Sequence, residues 1–133
     1  MQNIIVVILL AISINGNTQT LKTVKDLKSS YQICLDQGNY MAGCSIDYYN
    51  QVDSLLNVVY QNLKHQLNSE DRPKFLQEQK EWLKKRDAYF RKITKTTIKE
   101  GVFSEGTADF EMVVTDKKAD FVVERLKVLI ERL

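Results

Sequence analysis

Apolar residues recur along most of this chain at intervals of three and four, the spacing of one helical face. Leu21, Val24, Leu27, Tyr31, Cys34 and Leu35 form the first such line. Gly38 and Asn39 follow it, and both tolerate the left-handed conformation that ends helices. The spacing predicts a second helix from about Tyr40 to Leu67, with Met41, Cys44, Tyr48, Val52, Leu55, Leu56, Val59, Leu63 and Leu67 on its apolar line. A third helix is expected after Ser69, an N-cap residue with Glu70 and Asp71 in the favourable first turn. Pro73 is tolerated because it lies near that start. Phe75, Leu76, Gln79, Trp82, Leu83, Arg86, Tyr89, Phe90 and Ile93 carry the helix onward. The cluster Ile93-Thr94-Lys95-Thr96-Thr97-Ile98 is rich in β-branched residues, so the far end is expected to fray. Gly101 to Gly106 reads as a connector, and Thr107 as the cap of a fourth helix with Asp109 and Glu111 in its first turn. The clearest stripe of that helix is Phe121/Val122, Arg125/Leu126, Leu129/Ile130 and Leu133. Thr115-Asp116-Lys117-Lys118 interrupts it and marks where a break would fall. One Pro and five Gly argue against a turn-dense β-sandwich. The pattern predicts an all-α, antiparallel helical bundle of about four helices, built on a long central pair formed by the second and third.

Six residues support that pair. Asp53, Asn57 and Tyr60 share one helical stripe, and Gln79, Trp82 and Arg86 share another. They mirror one another about a point between Ser69 and Glu70. Two antiparallel helices turning there would set Asp53 against Arg86, Asn57 against Trp82 and Tyr60 against Gln79. Polar groups at a helix interface cost energy unless a partner satisfies them. The six therefore read first as an architectural network that fixes helix register, and secondly as a recognition surface. On the architectural reading, Arg86→Ala loosens the fold.

The same residues carry a family resemblance. Cys34, Met41 and Cys44, then Asp53-x-x-Leu56-Asn57-x-x-Tyr60, then Gln79-x-x-Trp82-Leu83-x-x-Arg86-Asp87, resemble the LprI-type lysozyme inhibitor domain. The likeness runs from about residue 31 to 126, counting weaker signals at Gly106-Thr107 and Ala119…Arg125-Leu126. Many members carry a further cysteine just after the Trp…Arg segment. Tyr89 and Phe90 occupy that region here, so no second disulfide is expected. The resemblance implies a non-catalytic protein with lysozyme as its partner.

The 133 residues suffice for one domain with one core, placed at residues 17–133. Ile4 to Ile14 is an apolar run of signal-peptide length, far short of the roughly 20 residues of a membrane span. Ala11-x-Ser13 and Gly16 are cleavage candidates, so residues 1–16 are expected to be an export signal. No Lys or Arg precedes the run, and the alternative is an uncleaved, buried N-terminal helix. No cysteine stands near its end, so no lipoprotein anchor is expected. The expected location is periplasmic or secreted. In an oxidising compartment Cys34 and Cys44, the two cysteines, are expected to form a structural disulfide. A metal or redox pair is the alternative, and neither a second Cys pair nor a nearby His supports it.

Candidate chemistry is sparse. The one His, His65, has no Cys or Ser at a recognisable spacing, and no phosphate-cradling loop, nucleophile elbow or metal-ligand cluster appears. No cofactor, metal or catalytic residue is expected. The formal net charge of +2 conceals an uneven distribution. Lys80 to Lys99 carries eight basic and two acidic residues, whereas Glu100 to Leu133 carries five basic and eight acidic. Lysozyme cleaves a glycan with two carboxylates in a cleft, and a binder blocks it by occlusion. Two segments are suited to filling such a cleft. One is Asp36 to Tyr40, with Asn39 and Tyr40, and the other is Gly101 to Asp109, with Phe103, Glu105 and Asp109. An acidic loop would help dock on a cationic enzyme. The runner-up is an envelope-associated module that binds anionic glycans or lipids through Lys84, Lys85, Arg91, Lys92, Lys95 and Lys99. A structural subunit of an envelope assembly is a third reading. Nucleic acid is not an expected partner for an exported chain of this charge.

Overall fold

The computed structural model describes residues 16–133, which form four α-helices: α1 (Gly16–Asp36), α2 (Met41–Gln66), α3 (Arg72–Glu100) and α4 (Ala108–Ile130). The expected export segment lies outside the described residues, apart from Gly16, where α1 opens. Among the described residues no strand forms, and no helix is long and apolar enough to cross a membrane.

The ends of the helices follow local chemistry. Gly38 adopts φ 70° and closes α1 by donating its N–H to the Leu35 carbonyl. Thr107 caps α4 as expected, its hydroxyl accepting from the Phe110 N–H. The turn between α2 and α3 is built differently from the expectation. Asn68, rather than Ser69, organises it: its Oδ1 accepts from the N–H groups of Glu70 and Asp71 at 3.0 and 2.8 Å. Arg72 then reaches back to the carbonyls of Lys64 and Leu67, the open end of α2. The far end of α3 does not fray. Ile93 and Thr97 are buried, and Ile93 packs with Phe110 and Val114, so tertiary contact overrides weak propensity. Nor does α4 break at Thr115 to Lys118, because Thr115 is buried and Asp116 is engaged by two other helices.

Helices consecutive in the chain run antiparallel, as the ring contacts Tyr60–Phe75 and Tyr49–Phe90 show for α2 and α3. The intimate partner of α2 is nevertheless α4, not α3. Ala119, Val122, Leu126, Leu129 and Ile130 of α4 are fully buried in one cluster with Val52, Leu56, Val59 and Leu63 of α2. The two helices run in the same direction: Asp116 meets Ser45 near one end, and Arg132, just past α4, shares a pocket with Leu63 and Leu67 near the other. The reason is compositional. Of the α3 side chains only Phe75, Gln79, Ile93 and Thr97 are buried, too few to form half of a core. Hydrophobic burial therefore selects the more apolar α4.

Two devices hold the other end. Cys34 and Cys44 form the expected disulfide, with Cα atoms 5.9 Å apart, and clamp α1 to α2. One turn away, Asp116 Oδ1 accepts hydrogen bonds from the Tyr31 hydroxyl at 2.6 Å and the Ser45 hydroxyl at 2.7 Å. The two hydroxyls are 2.9 Å apart, so α1, α2 and α4 meet at one point. The Tyr31 ring also stacks on Tyr48 at 4.7 Å.

Burial, then the hydrogen bond to Asp116, pushes the Tyr31 phenol up from 10.0 to about 12. A raised folded value means that this group's contribution is fully present below pH 10 and is lost as pH climbs toward 12. Burial also raises Tyr48 and Tyr49, so both add to the same alkaline loss. Tyr31→Phe is expected to cost about 2 kcal/mol at neutral pH, the scale of a hydrogen bond to a charged group. Thermal melts from pH 8 to 12 are expected to show a shallower alkaline decline for the variant than for the parent.

Candidate functional site: an open groove and a clamped corner

The loose seating of α3 leaves a groove of about 370 Å³ between it and α2. Asp53, Asn57, Tyr60, Gln79, Trp82 and Arg86 all line it, together with Leu56, Leu76, Lys80 and Leu83. The fold-back about residue 70 thus brings the six mirrored residues together, but it does not pair them. Arg86 donates to the adjacent Asp87 at 2.8 and 3.0 Å rather than to Asp53, and its guanidinium lies over Trp82 and Phe90. Gln79 accepts from Arg125 on α4, at 2.9 and 3.2 Å, rather than bonding Tyr60. Tyr60 stacks on Phe75 instead. The pairings fail because α2 packs its apolar face on α4, which leaves α3 only lightly seated against α2. The six residues are left lining an open groove instead.

The buried polar link of α3 lies on its other side. Arg125 is 8% exposed and binds Glu78 at 2.9 Å in addition to Gln79. Arg132 reaches the same carboxylate at 2.9 and 3.0 Å. The hydrogen bond from Arg132, and next that from Arg125, hold the Glu78 carboxyl below its ordinary range against the opposing pull of burial. Trp82 completes this side, with Phe121 stacked on it and the Arg125 guanidinium over its ring. Sequence reasoning placed Arg125 on the α4 stripe but gave it no partner, and it did not single out Glu78, because periodicity along one helix does not say which residue of another helix faces it. The signal was there: Arg125 falls beside Leu126 on the stripe that also buries Val122 and Leu129.

The second candidate surface is the α1–α2 corner. Asn39 is exposed, and Tyr40 is 81% exposed with φ 55°, in the left-handed region that a bulky residue seldom occupies. The Tyr40 ring folds over Gly43, and a Cβ at that glycine would overlap it. The disulfide stands immediately beside this arrangement at Cys44. The corner is therefore a short turn braced by a disulfide, with an exposed aromatic residue. The connector from α3 to α4 lies at the same end of the bundle. Glu105 and Asp109 are exposed there, but Phe103 turns inward onto the cluster of Ile93, Phe110 and Val114. Phe103 pins the loop, and the carboxylates are what it displays. Among the described residues no group of three or more His, Cys, Asp or Glu is placed to hold a metal ion.

A protein-family model described as Lysozyme inhibitor LprI matches residues 34–129, well over half of the chain, and the chain belongs to this family. The matched span opens at the first half-cystine and includes every residue that lines the groove. Comparison with curated proteins and with solved structures finds no match.

Arg86 and Arg125 are expected to separate on mutation. Arg86→Ala removes a half-exposed contact to a neighbouring residue and is expected to shift stability by less than about 1 kcal/mol. Arg125→Ala strips a buried guanidinium from Gln79 and Glu78 and is expected to cost about 3 kcal/mol. Urea denaturation of both variants checks the contrast, which reverses the cost that an Asp53–Arg86 pair would imply.

Proposed function

We propose that this protein is an exported, non-catalytic inhibitor of lysozyme that acts by occluding the active-site cleft with its α1–α2 corner. The family assignment supports lysozyme as the partner class. The observation that carries the choice of surface is Tyr40, an aromatic side chain displayed in a left-handed conformation beside a disulfide. Entry into a cleft needs an exposed element rather than a hollow, and the corner is an interhelical turn with an exposed ring, whereas the α2–α3 surface is a groove. Hot spots at protein interfaces favour large aromatic anchors, and a pre-fixed loop loses little entropy on docking. Exposed Glu105 and Asp109 at the same end supply a negative rim for a cationic enzyme. Inhibition then needs no bond making: the corner excludes the glycan from the two carboxylates that cleave it.

The test is a cell-wall lysis assay against lysozymes of several classes, paired with a direct binding measurement. Tyr40→Ala is expected to weaken binding about thirtyfold, the scale of one aromatic hot spot, with an unchanged melting temperature. Asn57→Ala, in the groove, is expected to leave inhibition intact. Absence of protection and binding across the panel would remove lysozyme as the partner. Loss of inhibition by Asn57→Ala with none by Tyr40→Ala would move the contact to the groove.

A further inference from the structure

The outward face of α3 carries two adjacent rows of cations, Lys84–Arg91–Lys95 and Lys85–Lys92–Lys99, spaced at helical intervals over about 22 Å. All six are exposed, and no salt bridge engages any of them among the described residues. Three of the four acids on this helix are engaged elsewhere: Glu78 holds two arginines, Glu81 accepts from Gln77, and Asp87 holds Arg86, while Glu100 is exposed at the far end beside Lys99. Arg91, Lys92 and Lys95 surround a shallow trough of about 360 Å³ that also touches the small side chains Ala88 and Thr96. At the end of the rows, Ile98 and Val102 are exposed, Val102 at 72%. Neither contributes to a core cluster.

We propose that this face is a docking surface for an anionic phospholipid bilayer, with headgroup phosphates over the Arg91–Lys92–Lys95 trough and Val102 entering the headgroup layer. Charge complementarity selects an anionic partner. A face two rows wide suits a flat surface, and clustered lysines beside an amphipathic helix are the chemistry of headgroup attraction. The exposed aliphatic pair favours lipid over a soluble polyanion, which offers nothing apolar to receive it. The surface is separate from the α1–α2 corner and stands whether or not lysozyme is the partner.

Vesicle sedimentation with the full-length mature protein tests this. Binding is expected to vesicles of equal phosphatidylglycerol and phosphatidylcholine, absent with phosphatidylcholine alone, and weakened as salt rises. Loss of one basic residue is expected to weaken partition about fivefold, so the double variant K92E/K95E should bind at least about tenfold more weakly. Val102→Asp should also weaken it. Both variants should keep the parental melting temperature and any lysozyme inhibition, which separates failure here from failure of the lysozyme reading. No binding to anionic vesicles, equal binding to neutral ones, or an unaffected K92E/K95E variant would overturn the proposal. So would binding to polyphosphate with none to vesicles, which would assign the face to a soluble polymer.

Discussion

Asp116 accepts hydrogen bonds from hydroxyls on two other helices, and the alignment of the bundle follows from that meeting point. The seam between α2 and α4 is made of Val, Leu, Ile and Ala, whose attraction has no direction. Such a seam tolerates sliding by a turn at little loss of buried area. A carboxylate shared by Tyr31 and Ser45 tolerates no such slide, because any shift strands a polar group. With Ser45 held level with Asp116, α4 extends about one turn beyond the start of α2. That overhang carries the α3–α4 connector and its second small core of Ile93, Phe110 and Val114. The disulfide then fixes the corner at the same end.

The fold divides its labour unequally. α2 and α4 supply the core, and α1 closes it. α3 is secured at its two ends, by Phe75 and Gln79 near the turn and by Ile93 and Thr97 near the connector. Between them its inner face is only half covered. That is why a groove opens toward α2 and why the outer face is free to be cationic. A helix anchored at both ends supports a chemically unusual middle, because its stability does not depend on that middle being apolar.

Much of this fold is legible in the sequence, and the misses share a cause. The four helices, the Thr107 cap and the fold-back near residue 70 follow from periodicity and turn chemistry, which are local. The disulfide follows from the cysteine count and the expected compartment. The identity of the core partner is not legible, because α2 presents one apolar line and periodicity does not say which helix fills it. The Asp53–Arg86 and Tyr60–Gln79 pairings fail for that reason: the mirror symmetry about Ser69 and Glu70 describes position along two helices, not the gap between them. Asp116 interrupts a stripe in the sequence, yet it is the residue that joins three helices. A polar residue in an apolar run signals either a break or a buried partner, and only the tertiary structure distinguishes the two. Periodicity also overestimates how much of α3 is needed inside.

Gly43 has the widest reach for its size. It sits beneath the Tyr40 ring, where no other residue fits without evicting the aromatic. Surface display at this corner is thus governed by a buried position that would not itself meet a ligand. Scanning only the solvent-facing residues of the bundle would overlook it. Natural variation at position 43 would reshape the corner while leaving every outward side chain identical.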